Sequence, residues 1–394
     1  MYLNNRLALP VNSSPVLVFP RQDFRDRDDS LRFAAHLISG LMEYKVMVDR
    51  RTLPPDCELC MEQYYHLFTS YRRPGLQKDS LITQSSTGAE KTPEHGHIIV
   101  ASNNQFFVLN LTEKSRWLDE SDILTQLTRI SKMAEKMEEQ RPPVGLFTSD
   151  GRTEWAKARD LLLKDPVNRE SLELMERCVC VLCLDEPTGV QPTDSNRASL
   201  ILHGGGHDKN GANRWSRSPS KLMKRSSASD LPVPQRLSWN CSSQILSMLS
   251  SSANNLQRLV RNLDMEVLRF RGYGKDFIKK QKMSPDAYIQ VALQLAFYRC
   301  TRKSVSTYES ASTRRFRHGR VENIRSSTAE ALHFSRAMTD EGGCVQDSEK
   351  MERLRKAVDT QTHNTKMVHS HFYTTQNSNI LNSTEFYFAT HRTG

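Results

Sequence analysis

One stretch of this chain gathers positive charge where a phosphate could be held. Lys275, Lys279, Lys280 and Lys282 stand just ahead of Ser284-Pro285-Asp286, a helix start in which serine suits the N-cap and proline the first turn. Cationic side chains beside the free N–H groups of a helix start favour a polyanion. A solvated charge run also looks like this, so spacing alone leaves both readings open. A second stretch runs Tyr308-Glu309-Ser310-Ala311-Ser312-Thr313-Arg314-Arg315, with Gly319-Arg320-Val321-Glu322-Asn323-Ile324 close behind. Its hydroxyls and guanidinium groups suit polar recognition.

Other candidates for chemistry are weaker. Cys57-x-x-Cys60 has no second pair at zinc-like spacing, so neither a metal nor a redox centre is expected there. His203 and His207 flank Gly204-Gly205-Gly206, and glycines between them argue against a helical metal pair. The same glycines lack the Gly-Lys-Ser/Thr of a P-loop and mark a tightly bent connection. Cys178, Cys180 and Cys183 lie in CVCVLCLD, an apolar run that reads as a buried strand. Asn-x-Ser/Thr sequons such as Asn12-Ser13-Ser14 carry little weight without a secretory route.

The elements that must position these residues are mixed. Leu31, Ala34, Ala35, Ile38, Leu41 and Met42 fall at helical spacing and predict a helix over 30–47. Asn103-Asn104 reads as a two-residue hairpin turn between His97–Val100 and Gln105–Leu111. Ile123, Leu127, Ile130 and Met133 share one face of another helix, which Pro142-Pro143 stops. Residues 145–150 read as a strand, 153–164 and 251–263 as helices, and the helix after Asp286 as apolar core. Helices mixed with hairpins predict an α/β layout with mixed sheets.

Composition bounds the rest. The 394 residues are 37% hydrophobic and 25% charged, with 55 basic against 45 acidic side chains and a net charge of +10. Mean hydropathy is −0.59. That length accommodates two or three domains. The charge suits an acidic partner, but no nucleic-acid module or aromatic-plus-basic pattern accompanies it, so nucleic acid is not expected. No apolar run approaches a bilayer span, and the opening MYLNNRLALP lacks a signal-peptide layout. A cytoplasmic, monomeric protein with reduced cysteines is expected.

The two stretches, GKDFIKKQKMSPDAYIQ with TYESAS and GRVENIRSS, resemble the choline/carnitine acyltransferase family. LFTSDGRTEWAKAR (146–159) and ILHGGGHDKNGANRW (201–215) are similar to it as well. The resemblance implies two α/β domains of the chloramphenicol acetyltransferase-like kind, incomplete here, with the active site in a tunnel between them. It implies acetyl-CoA/CoA as co-substrate, held by Gly274, Lys275, Lys279, Lys280, Gln281, Lys282, Met283, Ser284, Pro285, Asp286, Ser312 and Arg314. Lys275 and Lys279 match the lysines that meet the 3′-phosphate. Asp286 favours a helix start with or without a ligand, and Arg315 is equally a surface ion-pair residue. Tyr308, Val321 and Asn323 match positions facing the acyl acceptor. Carnitine enzymes tend to place threonines at the last two. Valine cannot hydrogen-bond a carboxylate, and a polar group left without its partner costs about 1–3 kcal/mol, so choline is the expected acceptor and carnitine the alternative. No metal is expected.

Thioester-to-alcohol transfer needs a base, usually histidine, and a donor for the developing oxyanion. In the family these are a histidine in an EHS-type segment beyond the ANRW strand and a Ser-Thr-Ser motif near the end. Here Trp215 is followed directly by Ser216-Arg217-Ser218-Pro219, and neither motif occurs; Glu94-His95-Gly96 lies elsewhere and reads as loop. No catalytic residue is therefore assigned, and little or no acetyl transfer is expected from this chain. A non-catalytic CoA-binding protein or a shortened isoform is the alternative reading. The expected organisation is an interrupted catalytic part over 1–215 and a Ser/Lys/Pro-rich linker over 216–234. A CoA- and choline-binding part follows over 235–367, then a tail over 368–394 that is expected to be disordered.

Overall fold

Capping and apolar spacing together start the first helix, α1 (Arg27–Asp49), where the Asp26 carboxylate accepts the Asp29 N–H. The computed structural model describes residues 2–9, 19–20, 22–53, 59–83, 96–114, 116–136, 141–184, 193–196, 198, 231–340, 342–370 and 389–391. The chain forms two units, Met1–Leu53 with Tyr64–Val267 and Phe386–Gly394, and Pro54–Gln63 with Leu268–Glu385. Cys57, His95, His203, His207, the glycines between them, Trp215 and the stretch 216–230 lie outside the described residues.

In the first unit, β1 (Ser70–Arg73) pairs antiparallel with β2 (Ser80–Thr83). The hairpin β3 (His97–Ser102) and β4 (Gln105–Asn110) turns at Asn103 and Asn104. Their φ values of 48° and 55° are the left-handed pair that a type I′ turn needs. Two short strands, β5 (Thr112–Glu113) and β6 (Arg116–Trp117), lead into α2 (Glu120–Glu135), whose start is a reciprocal box between Asp119 and Asp122. Ile98, Val100, Phe107 and Leu109 face one core with Ile38, Leu127 and Ile130, while Ile99 and Val108 face another with Leu237. The hairpin is thus buried on both sides.

Residues Val144–Ser149 form a 3₁₀ turn rather than the expected strand. Thr148 and Ser149 hydroxyls donate back to the Gly145 and Leu146 carbonyls at 2.8 and 2.6 Å, a local bond that competes with sheet pairing. Helices α3 (Arg152–Leu162) and α4 (Pro166–Arg177) follow. Then β7 (Val181–Cys183) joins β3 in parallel and β8 (Gln235–Arg236) joins β4, giving the order β7–β3–β4–β8. The expectation of a buried strand at β7 is corrected: among the described residues it lies at the edge of the sheet, with β3 as its neighbour, and Val181 is 51% exposed. Helix α5 (Ser243–Arg261) starts eight residues earlier than its apolar spacing predicts, capped by Ser242. It packs Ile245 and Leu249 on Phe147 and Leu162. The chain continues into β9 (Leu263–Met265), which pairs antiparallel with Ala389–His391.

One ionic hub ties this unit together. Asp79 is buried, and its carboxylate accepts from Arg6 at 2.8 Å, Arg72 at 2.6 Å and Arg152 at 2.7 Å. Burial alone would raise its carboxyl, but hydrogen bonds from Arg152, the Gly75 N–H and Arg6 outweigh that and hold it at about 2.

The second unit begins with α6 (Lys275–Lys280) and α7 (Pro285–Thr301). A two-stranded antiparallel ribbon follows, β10 (Tyr308–Ser312) and β11 (Val321–Arg325), then α8 (Ala329–Met338) and α9 (Asp347–Ser370). Its core unites Ile278, Met283, Ala287 and Val291 with Phe334, Ala357 and Val358. The expectation that α7 is apolar around much of its girth and core is corrected in part: Ile289 and Phe297 are exposed, because α8 and α9 pack on one side of the helix. Among the described residues no helix is long and apolar enough to cross a membrane.

Candidate functional site

The lysine segment folds as a short helix and a reversal, not as an extended loop. Lys275, Lys279 and Lys280 lie on α6 and are exposed, whereas Ile278 turns inward and anchors the helix. Lys275 and Lys279 are four apart, hence on one face. Gly274 stands at the N-cap with no side-chain cap. Gln281 follows as C-cap, and its carbonyl accepts from Arg355 of α9 at 3.0 Å. Lys282 then takes a left-handed φ of 59°, which reverses the chain so that Met283 is buried. Ser284 caps α7 by accepting the Ala287 N–H at 3.4 Å, with Pro285 and Asp286 in the first turn. Four lysines therefore surround one aspartate, Asp276, on a solvent-facing segment pinned by two buried apolar side chains.

Strand period brings the acceptor candidates together. The register pairs Ser312 with Val321, Ser310 with Asn323 and Tyr308 with Arg325. Tyr308, Ser312, Val321 and Asn323 consequently share one face of the ribbon, and that face is exposed, Tyr308 at 60% and Val321 at 66%. Ala311 and Ile324 point the other way and are buried. The turn between the strands needs Gly319, since a Cβ there would lie 1.8 Å from the Thr313 carbonyl oxygen. Arg314 is held by Cys60, whose carbonyl accepts from Nε at 3.4 Å and whose N–H donates to the Arg314 carbonyl.

Sequence reasoning passed over Glu309. It alternates with the exposed Tyr308 and shares the inner face with Ala311, and that period-two signal would have found it. Burial and the neighbouring Asp286 carboxylate push its carboxyl up to about 7, against hydrogen bonds from Gln361 and Ser326. Gln361 is buried, and its amide donates to both Glu309 and Ser326. Glu309 thereby links the start of α7, the ribbon and α9. Among the described residues no group of His, Cys, Asp and Glu is placed to hold a metal ion.

Lysine helix, capped turn and exposed ribbon face all belong to the second unit. The family model described as choline/carnitine O-acyltransferase matches residues 1–223 and 216–370, and the chain belongs to that family. A choline O-acetyltransferase of Danio rerio is 53% identical over 413 residues, covering 93% of this chain and 64% of the relative. The Homo sapiens choline O-acetyltransferase is 51% identical over 415 residues, with 93% and 55% covered. A carnitine O-acetyltransferase of Columba livia is 37% identical over 407 residues, with 92% and 63% covered. The chain thus spans 64% or less of the length of these relatives.

Proposed function

We propose that this chain is a choline O-acetyltransferase-type acyltransferase, drawing on acetyl-CoA and choline, in which the second unit supplies the ligand-binding half. Lys275 and Lys279 take the 3′-phosphate of CoA, with Lys280, Gln281, Lys282, Met283, Ser284, Pro285 and Asp286 completing the cradle and Ser312 and Arg314 flanking it. Tyr308, Val321 and Asn323 face choline. The observation that carries this reading is the exposed pairing of Lys275 with Lys279 on a helix held in place by buried Ile278. Val321 offers no hydrogen bond to a carboxylate, which supports choline over carnitine. The higher identity to the choline relatives supports the same choice.

The chain's own chemistry ends at binding. A choline hydroxyl needs a base to lose its proton, and Trp215 is followed directly by Ser216 where the family's histidine segment is expected. The alignment with the Danio rerio relative supports an interior gap. It runs over 413 positions but covers only about 366 residues here (93% of 394), so at least about 47 of its positions have no counterpart. Removing a catalytic base leaves only positioning to accelerate transfer. The second reading, a CoA-binding protein without turnover, rests on this gap.

Two measurements test the proposal. Calorimetric titration of CoA should give binding that Lys275→Glu with Lys279→Glu weakens at least tenfold, with the effect shrinking as salt rises. A radiolabelled acetyl-transfer assay should give no turnover above background. Absence of CoA binding by folded protein sinks the ligand assignment; robust turnover sinks the claim that the base is missing.

A further inference from the structure

A cavity in the first unit, of ≈590 Å³, gathers positive charge that its own carboxylates do not balance. β1 contributes Tyr71 and Arg73, the end of α3 contributes Arg159, and α4 contributes Arg169, Glu176 and Arg177. Glu173, also on α4, is the second of two acidic side chains facing four arginines. That leaves a surplus of two positive charges in a space within the usual range for small-molecule sites.

Glu176 is already committed. Its Oε1 accepts from Arg159 at 2.7 Å and its Oε2 accepts from the Tyr71 hydroxyl at 2.6 Å. Arg73 is further off, 3.8 Å from Glu176, and donates instead to the Tyr71 oxygen at 2.6 Å. Arg169 donates to the Leu163 carbonyl at 2.8 Å, a contact that leaves its charge unneutralised. Arg177 is exposed and makes no ion pair within 4 Å among the described residues. Three guanidinium groups therefore retain charge and donors, on elements held rigid by the Arg159–Glu176–Tyr71 bonds. A planar fork of donors matches phosphate oxygens two at a time, so three guanidinium groups can engage several oxygens of linked phosphates at once.

We propose that this cavity is a binding site for a small anion carrying linked phosphates, with Arg73, Arg169 and Arg177 as its direct donors and Arg159, Glu176 and Tyr71 as their scaffold. The site lies wholly within the first unit and does not depend on the CoA reading of α6. Bound anion would neutralise the surplus charge and couple the end of α3 to β1.

Pyrophosphate is the probe. Titrated into the full chain at constant ionic strength, it should bind with an affinity that Arg73→Gln with Arg177→Gln lowers at least tenfold. Lys275→Glu with Lys279→Glu should leave that binding event within twofold of the unaltered chain. Glu173→Gln should tighten it two- to threefold, because a like charge is removed; this variant acts in the opposite direction to any loss of folding. Unchanged affinity in the double arginine variant overturns the proposal. So does loss of all pyrophosphate binding in the lysine variant, or no binding by a chain whose tryptophan fluorescence reports folded protein.

Discussion

Asp79 in the first unit is a buried carboxyl and Glu309 in the second a half-buried one, and they keep opposite company. Asp79 is met by Arg6, Arg72 and Arg152 and is held at about 2. Glu309 has Asp286 as its charged neighbour and the Gln361 amide as its donor, and is pushed up to about 7. The sign of each unit's acid response follows. Asp79 binds its proton less readily folded than unfolded, so its stabilisation is present above the ordinary carboxylate range near 3.8 and is lost as pH falls towards 2. Glu309 binds its proton more readily when folded, so its contribution is full below about 4.5 and is lost as pH rises through about 7. Acid weakens the first unit and mild alkali the second.

Asp79→Asn should produce the largest effect and break the comparison at its stronger side. Removing one partner of a buried ion group strands the others, and such changes cost about 3–5 kcal/mol. Here three guanidinium groups would lose their shared carboxylate. The three tryptophans among the described residues, Trp117, Trp155 and Trp239, belong to the first unit. Tryptophan fluorescence during urea unfolding therefore follows that unit through these three side chains. A midpoint shift equivalent to less than about 1 kcal/mol would mean that the arginines are satisfied by the Leu3, Gly75 and Arg72 carbonyls without Asp79.

Glu309→Gln should act the other way and more gently. Glutamine removes the ionisation while offering an N–H to the Gln361 Oε1, which is buried without a partner. The gain should reach about 1–2 kcal/mol at pH 8, after allowance for solvent at a half-exposed carboxyl, and vanish near pH 4. Thermal unfolding followed by far-UV circular dichroism across that range checks it. A gain that persists at pH 4 would assign the effect to packing and dissolve the contrast with Asp79.

What could be read from sequence, and what could not, follows the same division between local and distant causes. Helices α1 and α2 were legible because their apolar side chains recur at three and four residues, and the Asn103-Asn104 turn because two asparagines tolerate left-handed backbone. The exposed face shared by Tyr308, Ser312, Val321 and Asn323 needs only a strand period of two. The 3₁₀ turn at Val144–Ser149 was hidden because short hydroxyl-to-carbonyl bonds overrode an apolar run that reads equally as strand. Edge placement of β7 depends on which strands flank it, and that is absent from its own residues. Glu309 escaped for a similar reason. Asp286 precedes it by more than twenty residues and Gln361 follows it by 52, so only the fold makes them neighbours.

Helix caps provide the finest test, because the two units again solve one problem differently. Asp119 accepts the Asp122 N–H at 2.9 Å while Asp122 accepts the Asp119 N–H at 3.3 Å, so two donors at the start of α2 are satisfied reciprocally. Ser284 offers α7 a single acceptance at 3.4 Å, near the limit for a useful bond. Asp119→Ala should therefore cost about 1 kcal/mol and Ser284→Ala about 0.5 kcal/mol. Tryptophan fluorescence, to which the adjacent Trp117 contributes, reads the first and circular dichroism the second. On the proposed CoA reading, Ser284→Ala should also change CoA affinity less than threefold, because the charge of Lys275 and Lys279 does not depend on whether the next helix is capped. A larger loss than the lysine pair produces would move the binding determinant from α6 to the first turn of α7, where Pro285 removes one backbone donor and the Asp286 carboxylate opposes an anion.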